Sequence, residues 1–346
     1  MSEKKYVSSS PHFTLPLNTQ MIMATVLIAL IPECVMGIIL FKWAAASRIL
    51  VSLASCVFFE FIFQKITRQK VTISNLSACV TGLLLALSCS STVPLWMFVV
   101  GSAVAIIVAK GLFGGIGSNV FNPALTGRAF MFLSFPAAMG ASWLVPSGAE
   151  RGLAEAVEAI GTVGVVESVG AVGTVDAITS ATTLSAIKAG TFAVQNGTYW
   201  KYFIGNHSGC IGETSALLIL ISFTFLVLTR VIDPRASIAM IGTLSLCTLA
   251  SGGNLLMALM TGGLLFGATF MVTDYATAPV TKKGRIIFGF GCGLITFLIR
   301  KFGGYPEGVM FSILIMNSIA PFLNNLTARK YGYKNIKKRG VKNEQK

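Results

Sequence analysis

The sequence predicts an all-α polytopic membrane protein, with about ten transmembrane helices in two inverted five-helix repeats around an outward-facing loop region. Three observations carry this expectation. The 346 residues are 54% hydrophobic and only 12% charged, where a soluble domain carries about 25% charge. Apolar runs of about 18 residues or more recur, each long enough to cross a hydrocarbon core. The runs are continuous and do not alternate, which argues against a β-barrel.

The spans follow in order. A polar start (Lys4, Lys5, then Ser8 to Phe13) leads into a first span, Met21–Phe41, and a second, Ala46–Phe63. The third covers Leu76–Leu87 and the fourth Val93–Val108; the fifth, Val120–Met139, opens on Asn-Pro and is interrupted by polar residues. Beyond a polar, glycine-rich stretch come Ser215–Leu228, Ala236–Ala250, Leu255–Val272, Ile286–Ile299 and Val309–Leu323. The chain thus divides into a cytoplasmic segment 1–20, a first transmembrane half 21–139, a loop region 140–213, a second half 214–325 and a basic cytoplasmic tail 326–346. The apolar run after residue 20 is too long for a signal-peptide core, so no cleavage is expected.

Charge placement orients the helices. The net charge is +14, with eight of the 27 basic residues between Arg329 and Lys346 and most others flanking apolar runs. That is a topology signal and not a nucleic-acid groove. With the N-terminus inside, 20 basic residues fall on inner segments, Lys110 and Arg128 among them, and seven on outer ones, including Arg300 and Lys301. Both termini are therefore expected in the cytoplasm and the 140–213 region outside. Lys110-Gly-Leu-Phe-Gly-Gly115 returns as Arg300-Lys-Phe-Gly-Gly304, and Thr81-Gly-Leu-Leu-Leu85 as Thr261-Gly-Gly-Leu-Leu265. Five spans per half is odd, so the second half is expected upside down, with the working site near the interface.

Other chemistry is thin. The seven cysteines have neither zinc nor iron–sulfur spacing, and most fall within expected helices as small hydrophobes. His12 and His207 are far apart and expected on opposite faces, so no metal site is expected. No Ser/His/Asp set, P-loop or dinucleotide fingerprint is present. Glu33 follows Pro32 deep in the first span, where an ionisable group is either an ion-transfer residue or a hydrogen-bonded buried acid.

The longest non-apolar interval contains a polar island, Asp176-Ala-Ile-Thr-Ser-Ala-Thr182-Thr-Leu184. An accessible threonine hydroxyl with small neighbours and a nearby carboxylate suits attachment of a nucleotide by another protein; an ordinary loop or helix cap has the same composition. The pattern resembles the flavinylation signature Asp-x-x-(Ser/Thr)-Gly-Ala-Thr through Asp176, Thr179, Ser180, Ala181 and Thr182, with Ser180 where glycine is usual. Gly114-Gly-Ile-Gly-Ser-Asn-Val-Phe-Asn-Pro-Ala124, Thr273-Asp-Tyr-Ala-Thr-Ala-Pro279, Tyr305-Pro-Glu-Gly-Val309 and Ser10-Pro-His12 extend the likeness over nearly the whole chain. It is similar to the RnfD/NqrB family, membrane subunits of the Rnf ferredoxin:NAD oxidoreductase and of the sodium-pumping NADH:quinone reductase; the short tail favours Rnf.

The resemblance implies FMN esterified to Thr182 by a flavin transferase, electron transfer between ferredoxin and NAD, and coupled Na⁺ or H⁺ movement across a bacterial cytoplasmic (inner) membrane. It implies as partners NADH-binding and iron–sulfur subunits, a second covalent-FMN subunit and two small membrane subunits. It also implies a second, non-covalent flavin, riboflavin or FMN, near Asn119, Asn122 and Pro123; a helix cap with interhelical amide bonding is the other reading of those residues. Asp274 either completes that pocket or caps an inner loop against Lys282 and Lys283. Glu307 either lines the cavity of the tethered flavin or pairs with Arg300 or Lys301. Two alternatives lack a redox role: a solute channel or transporter of urea-channel-like inverted-repeat fold, and a membrane anchor for other subunits.

Overall fold

The computed structural model describes residues 18–140, 184, 197–304 and 307–328, and helix is the only regular secondary structure among them. Helix α1 runs Thr19–Ile66, 48 residues, and is divided at Lys42, whose φ of 50° and ψ of −132° are not helical. The break falls between the first two expected spans. A 3₁₀ turn, Ile73–Asn75, precedes α2 (Ser77–Leu87), and α3 (Leu95–Ala103) passes into a π-helical stretch, Val104–Gly111. Helix α4 (Pro123–Ser134) begins where it does because Asn122 Oδ1 accepts the Leu125 amide and Pro123 occupies the first turn. It ends at Phe135, and α5 (Pro136–Gly140) follows.

The later helices start on the same chemistry. After α6 (Thr198–Ile204), Ser215 caps α7 (Ala216–Leu228), and Asp233 with Pro234 starts α8 (Pro234–Ala250). Asn254 caps α9 (Leu255–Met260); α10 (Leu264–Phe266) continues as a π-helical turn, Gly267–Met271. Thr281 caps α11 (Lys282–Phe302), and α12 (Val309–Thr327) closes the described chain.

Two expectations are corrected here. The eighth span is not one helix but two, parted at Thr261–Gly263. Gly262 and Gly263 have φ of +72° and +64°, a consecutive left-handed pair that glycine alone adopts without strain. The carbonyls freed by the break accept from Arg300, which reaches Ala258 at 2.7 Å and Thr261 and Gly262 at 3.0 Å. The second correction concerns length: among the described helices, only α1 and α12 are long and apolar enough to cross a membrane individually. Helix α2, with 11 residues, reaches only about 16 Å at 1.5 Å per residue. The regions 1–17 and 329–346, and most of 140–213, lie outside the described residues.

Packing is by pairs within each half. Helix α1 packs on α2 and α3, and α3 on α4; later, α8 packs on α9 and α11, and α11 on α12. The halves meet where α1 touches α7 and α4 touches α12. Many large apolar side chains point away from the core, including Ile39 (64% exposed), Leu228 (76%) and Leu246 (70%). Such a surface fits an apolar solvent.

Where helices touch, small residues let the backbones close. A Cβ on Gly289 would collide with the Ala236 carbonyl, and one on Gly293 would lie 2.5 Å from the Met240 carbonyl. This is close small-residue packing of the kind that joins helices in lipid. Replacing Gly289 by valine should separate α8 from α11 at a cost of about 3 kcal/mol, the upper range for overpacking. Gly242 on α8 has open space at its Cβ position, so Gly242→Ala should leave the thermal midpoint in detergent unchanged while Gly289→Val lowers it. Equal midpoints for the two variants would refute the close-contact account.

Candidate functional site

A pocket opens between the N-terminal turns of α1 and the ends of the two π-helical stretches. Asn119, Asn122, Pro123 and Asp274 all line it, although Asp274 lies some 150 residues further along the chain. Its apolar wall includes Val26, Val80, Leu84 and Phe270; Ser77, Thr81, Thr269 and Thr273 add hydroxyls. Asn119 Nδ2 donates to the Phe121 carbonyl at 3.1 Å, and Asn122 caps α4 through Oδ1. Asn122 thus does the work of a cap, and both amides stand at the pocket wall. Asp274 accepts from the Ala276 amide at 3.3 Å and the Thr277 hydroxyl at 3.1 Å, not from Lys282 or Lys283. Burial pushes its carboxyl up, against the lowering effect of those two bonds.

Lys110 also lines this pocket, although its place at the end of an apolar run puts it among the solvated inner charges in a sequence count. It is 5% exposed; Nζ donates to Glu60 Oε1 at 2.7 Å and to Ser77 Oγ at 2.6 Å. Gln64 extends the group, donating to Glu60 at 3.3 Å and to the Thr72 hydroxyl at 2.9 Å. A buried ammonium is tolerable because a carboxylate meets it. The sequence does carry a signal for the pair: Glu60 and Lys110 each interrupt the end of an apolar run.

A second polar cluster lies elsewhere, where the two halves meet. Arg128 on α4 donates from Nη2 to Glu307 Oε2 at 2.7 Å and to Cys210 Sγ at 3.7 Å. This corrects two expectations: Arg128 is buried and not a loop charge, and Glu307 pairs with it and not with Arg300 or Lys301. Taking Lys110, Arg128 and Arg300 out of the topology count leaves the sign of the bias unchanged. One ligand atom from each of Cys210, Glu213 and Glu307 lies within 4.8 Å of the others. Burial, reinforced by the neighbouring Glu307, pushes the Glu213 carboxyl up to about 8.

Glu213 also rests on the broken helix, against Gly263, where a Cβ would overlap its carboxylate. Across the same break, a Cβ on Gly262 would meet Leu184 Cδ2 at 2.6 Å and Arg300 Nη2 at 3.0 Å. Leu184 is the end of the polar island. Asp176, Thr179, Ser180, Ala181 and Thr182 themselves lie outside the described residues, as does His12. His207 packs at a tilt against Tyr202, ring centroids 4.2 Å apart. All seven cysteines are free.

The comparisons with known proteins cover almost the whole chain. The NQR2, RnfD, RnfE family matches residues 6–332. The chain is 38% identical to the D subunit of the Na(+)-translocating ferredoxin:NAD(+) oxidoreductase complex of Acetobacterium woodii, over 96% of each chain. It is 37% identical to the D subunit of the proton-translocating ferredoxin:NAD(+) oxidoreductase complex of Clostridium ljungdahlii, over 93% of this chain and 94% of that one. The D subunit of the ion-translocating oxidoreductase complex of Escherichia coli is 34% identical, over 95% of this chain and 98% of its own. On the full-length match and these identities, the chain belongs to the NQR2, RnfD, RnfE family.

Proposed function

We propose that this chain is the flavin-carrying membrane subunit of a redox-driven ion pump, passing electrons between ferredoxin and NAD with coupled Na⁺ or H⁺ movement. The observation that carries the reading is the end-to-end similarity to relatives named as subunits of such complexes. The chain works as one subunit of a larger assembly, with NADH-binding, iron–sulfur, second covalent-FMN and small membrane subunits as its partners. It sits in a bacterial cytoplasmic membrane with both termini inside, as ten spans in two inverted halves. The matching order of helix packing in the two halves supports that arrangement.

Thr182 carries FMN through a phosphate ester made by a flavin transferase, with Asp176, Thr179, Ser180 and Ala181 as the recognition sequence. The position of Leu184 beside Arg300 supports a location near the Arg128–Glu307–Glu213 cluster for the attached group. A second, non-covalent flavin, riboflavin or FMN, occupies the pocket of Asn119, Asn122, Pro123 and Asp274. The lining fits a planar heterocycle: aliphatic and aromatic side chains for its faces, amides and hydroxyls for its edges. When bound, flavins supply the one- and two-electron chemistry that no side chain here provides. Lys110, paired with Glu60, stands at the pocket edge as a further polar group. The Arg128–Glu307 pair holds the second half against the first beside the tethered group.

The reading is tested first on Thr182. In a host that expresses the transferase, the denatured wild-type chain should give a fluorescent flavin band in the gel, and Thr182→Ala none. A dark wild-type band beside a flavinylated control protein would move the assignment to a solute transporter. The pocket is tested separately. Asn122→Ser keeps a cap acceptor but removes the amide, and should weaken retention of acid-extractable flavin about fivefold, the value of one hydrogen bond. The covalent band at Thr182 should be unaffected. Full retention in both Asn122→Ser and Asn119→Leu would place the non-covalent flavin elsewhere.

A further inference from the structure

Glu33 belongs to neither polar cluster. It is 3% exposed, and neither carboxyl oxygen has a hydrogen-bond partner. The Ser222 hydroxyl of α7 lies beside it but donates its own proton to the Ala29 carbonyl of α1, 2.8 Å away. Pro32, the preceding residue, has no N–H to close the helical bond to Ile28, so the α1 ladder is open next to the acid. One turn on, Gly37 packs directly against Ile211.

The charges around it are few. Cys34 is the titratable neighbour on its own helix. From α7 comes Ser222, which carries no charge. The segment ahead of α7 presents Ile211 at Gly37; its titratable groups, Cys210 and Glu213, turn instead to Arg128 and to Gly263. Among the described residues no basic side chain forms an ion pair with Glu33. An ionised carboxylate so placed is uncompensated. A metal cation needs several oxygen ligands, and the Ser222 hydroxyl beside the acid already donates to the Ala29 carbonyl. A proton needs no further ligand.

The position matters as much as the environment. Met23 and Val26 on the same helix line the amide pocket, and Gly37 meets the residue next to Cys210. From Val26 to Gly37 is about 16 Å along the helix at 1.5 Å per residue. Glu33 therefore stands between the pocket and the arginine–carboxylate cluster, on the seam of α1 and α7.

We propose that Glu33 is a proton-carrying site, loading one proton on a carboxylate oxygen from the pocket side and releasing it toward the Cys210–Glu213 segment. Only the O–H bond forms and breaks, and no electron moves. The direction of travel rests on the ion-pump reading above; the exchangeable acid does not.

The test uses the assembled complex in membrane vesicles and dicyclohexylcarbodiimide, which reacts with protonated carboxyls in apolar surroundings. Mass spectrometry should find Glu33 modified near pH 6, with modification falling about tenfold per pH unit once the acid ionises. Glu33→Gln should block modification and abolish proton movement per electron transferred, with the Thr182 band intact; Glu33→Asp should restore part of the movement. An unmodified Glu33 at pH 6, suppression by Na⁺ in place of pH, or normal pumping by Glu33→Gln would each overturn the proposal. If Glu33→Gln fails to assemble, the wild-type labelling decides. A dark Thr182 band together with labelled Glu33 would sink the flavin reading and leave this site standing.

Discussion

The ion pair between Arg128 and Glu307 is the contact on which the arrangement of the two halves turns. It joins residues 179 positions apart, at 2.7 Å. Arg128 is buried within α4, so its guanidinium needs a carboxylate wherever its head emerges. Glu307 supplies one from the segment ahead of α12, and the packing of Phe132 on Phe311, centroids 6.0 Å apart, aligns the same two helices. Fixing α12 in this way sets α11 beside it, and α11 carries Arg300 to the broken helix. Each basic head thus satisfies something another element left open.

The broken helix shows the same constraint on the backbone. In an apolar solvent a helix can be interrupted only if protein groups take over its free carbonyls. Arg300 does so for three of them, and the two glycines give the turn its shape. The polar interruption is then free to face Glu213 and Leu184, which is how an apolar bundle comes to hold a concentrated group of charges at one place.

Much of this is legible in the sequence because it depends on local rules. Apolar runs locate the helices, and the structure fixes several of their starts through caps at Asn122, Ser215, Asp233, Asn254 and Thr281. Asn119, Asn122 and Pro123, which the family likeness groups, and Asp274, for which the sequence left a pocket and a loop cap open, line one pocket. The failures share a cause. Lys110, Arg128 and Arg300 pass for solvated charges, because a charge count treats each basic residue by its nearest apolar run. Whether such a residue is buried depends on a partner far away in sequence, Glu60, Glu307 or the 258–262 carbonyls. The break of α1 at Lys42 falls in the gap between the first two expected spans, whereas the Gly262-Gly263 break sits inside an otherwise continuous apolar span.

The spacing of the polar groups constrains what the chain can transmit. The amide pocket and the arginine cluster each hold an ion pair of their own, Glu60–Lys110 and Arg128–Glu307. What lies between them on α1 is apolar except at Glu33, whose unsatisfied oxygens stand where α1 and α7 touch through Ser222 and Ala29. A continuous file of polar groups would let ions through in every state of the protein. A single acid does not, because it holds one proton and its neighbours along α1 are apolar. On the proposed pump reading, one acid between two sites that each hold an ion pair would pass protons singly, with the apolar stretch around it limiting leakage.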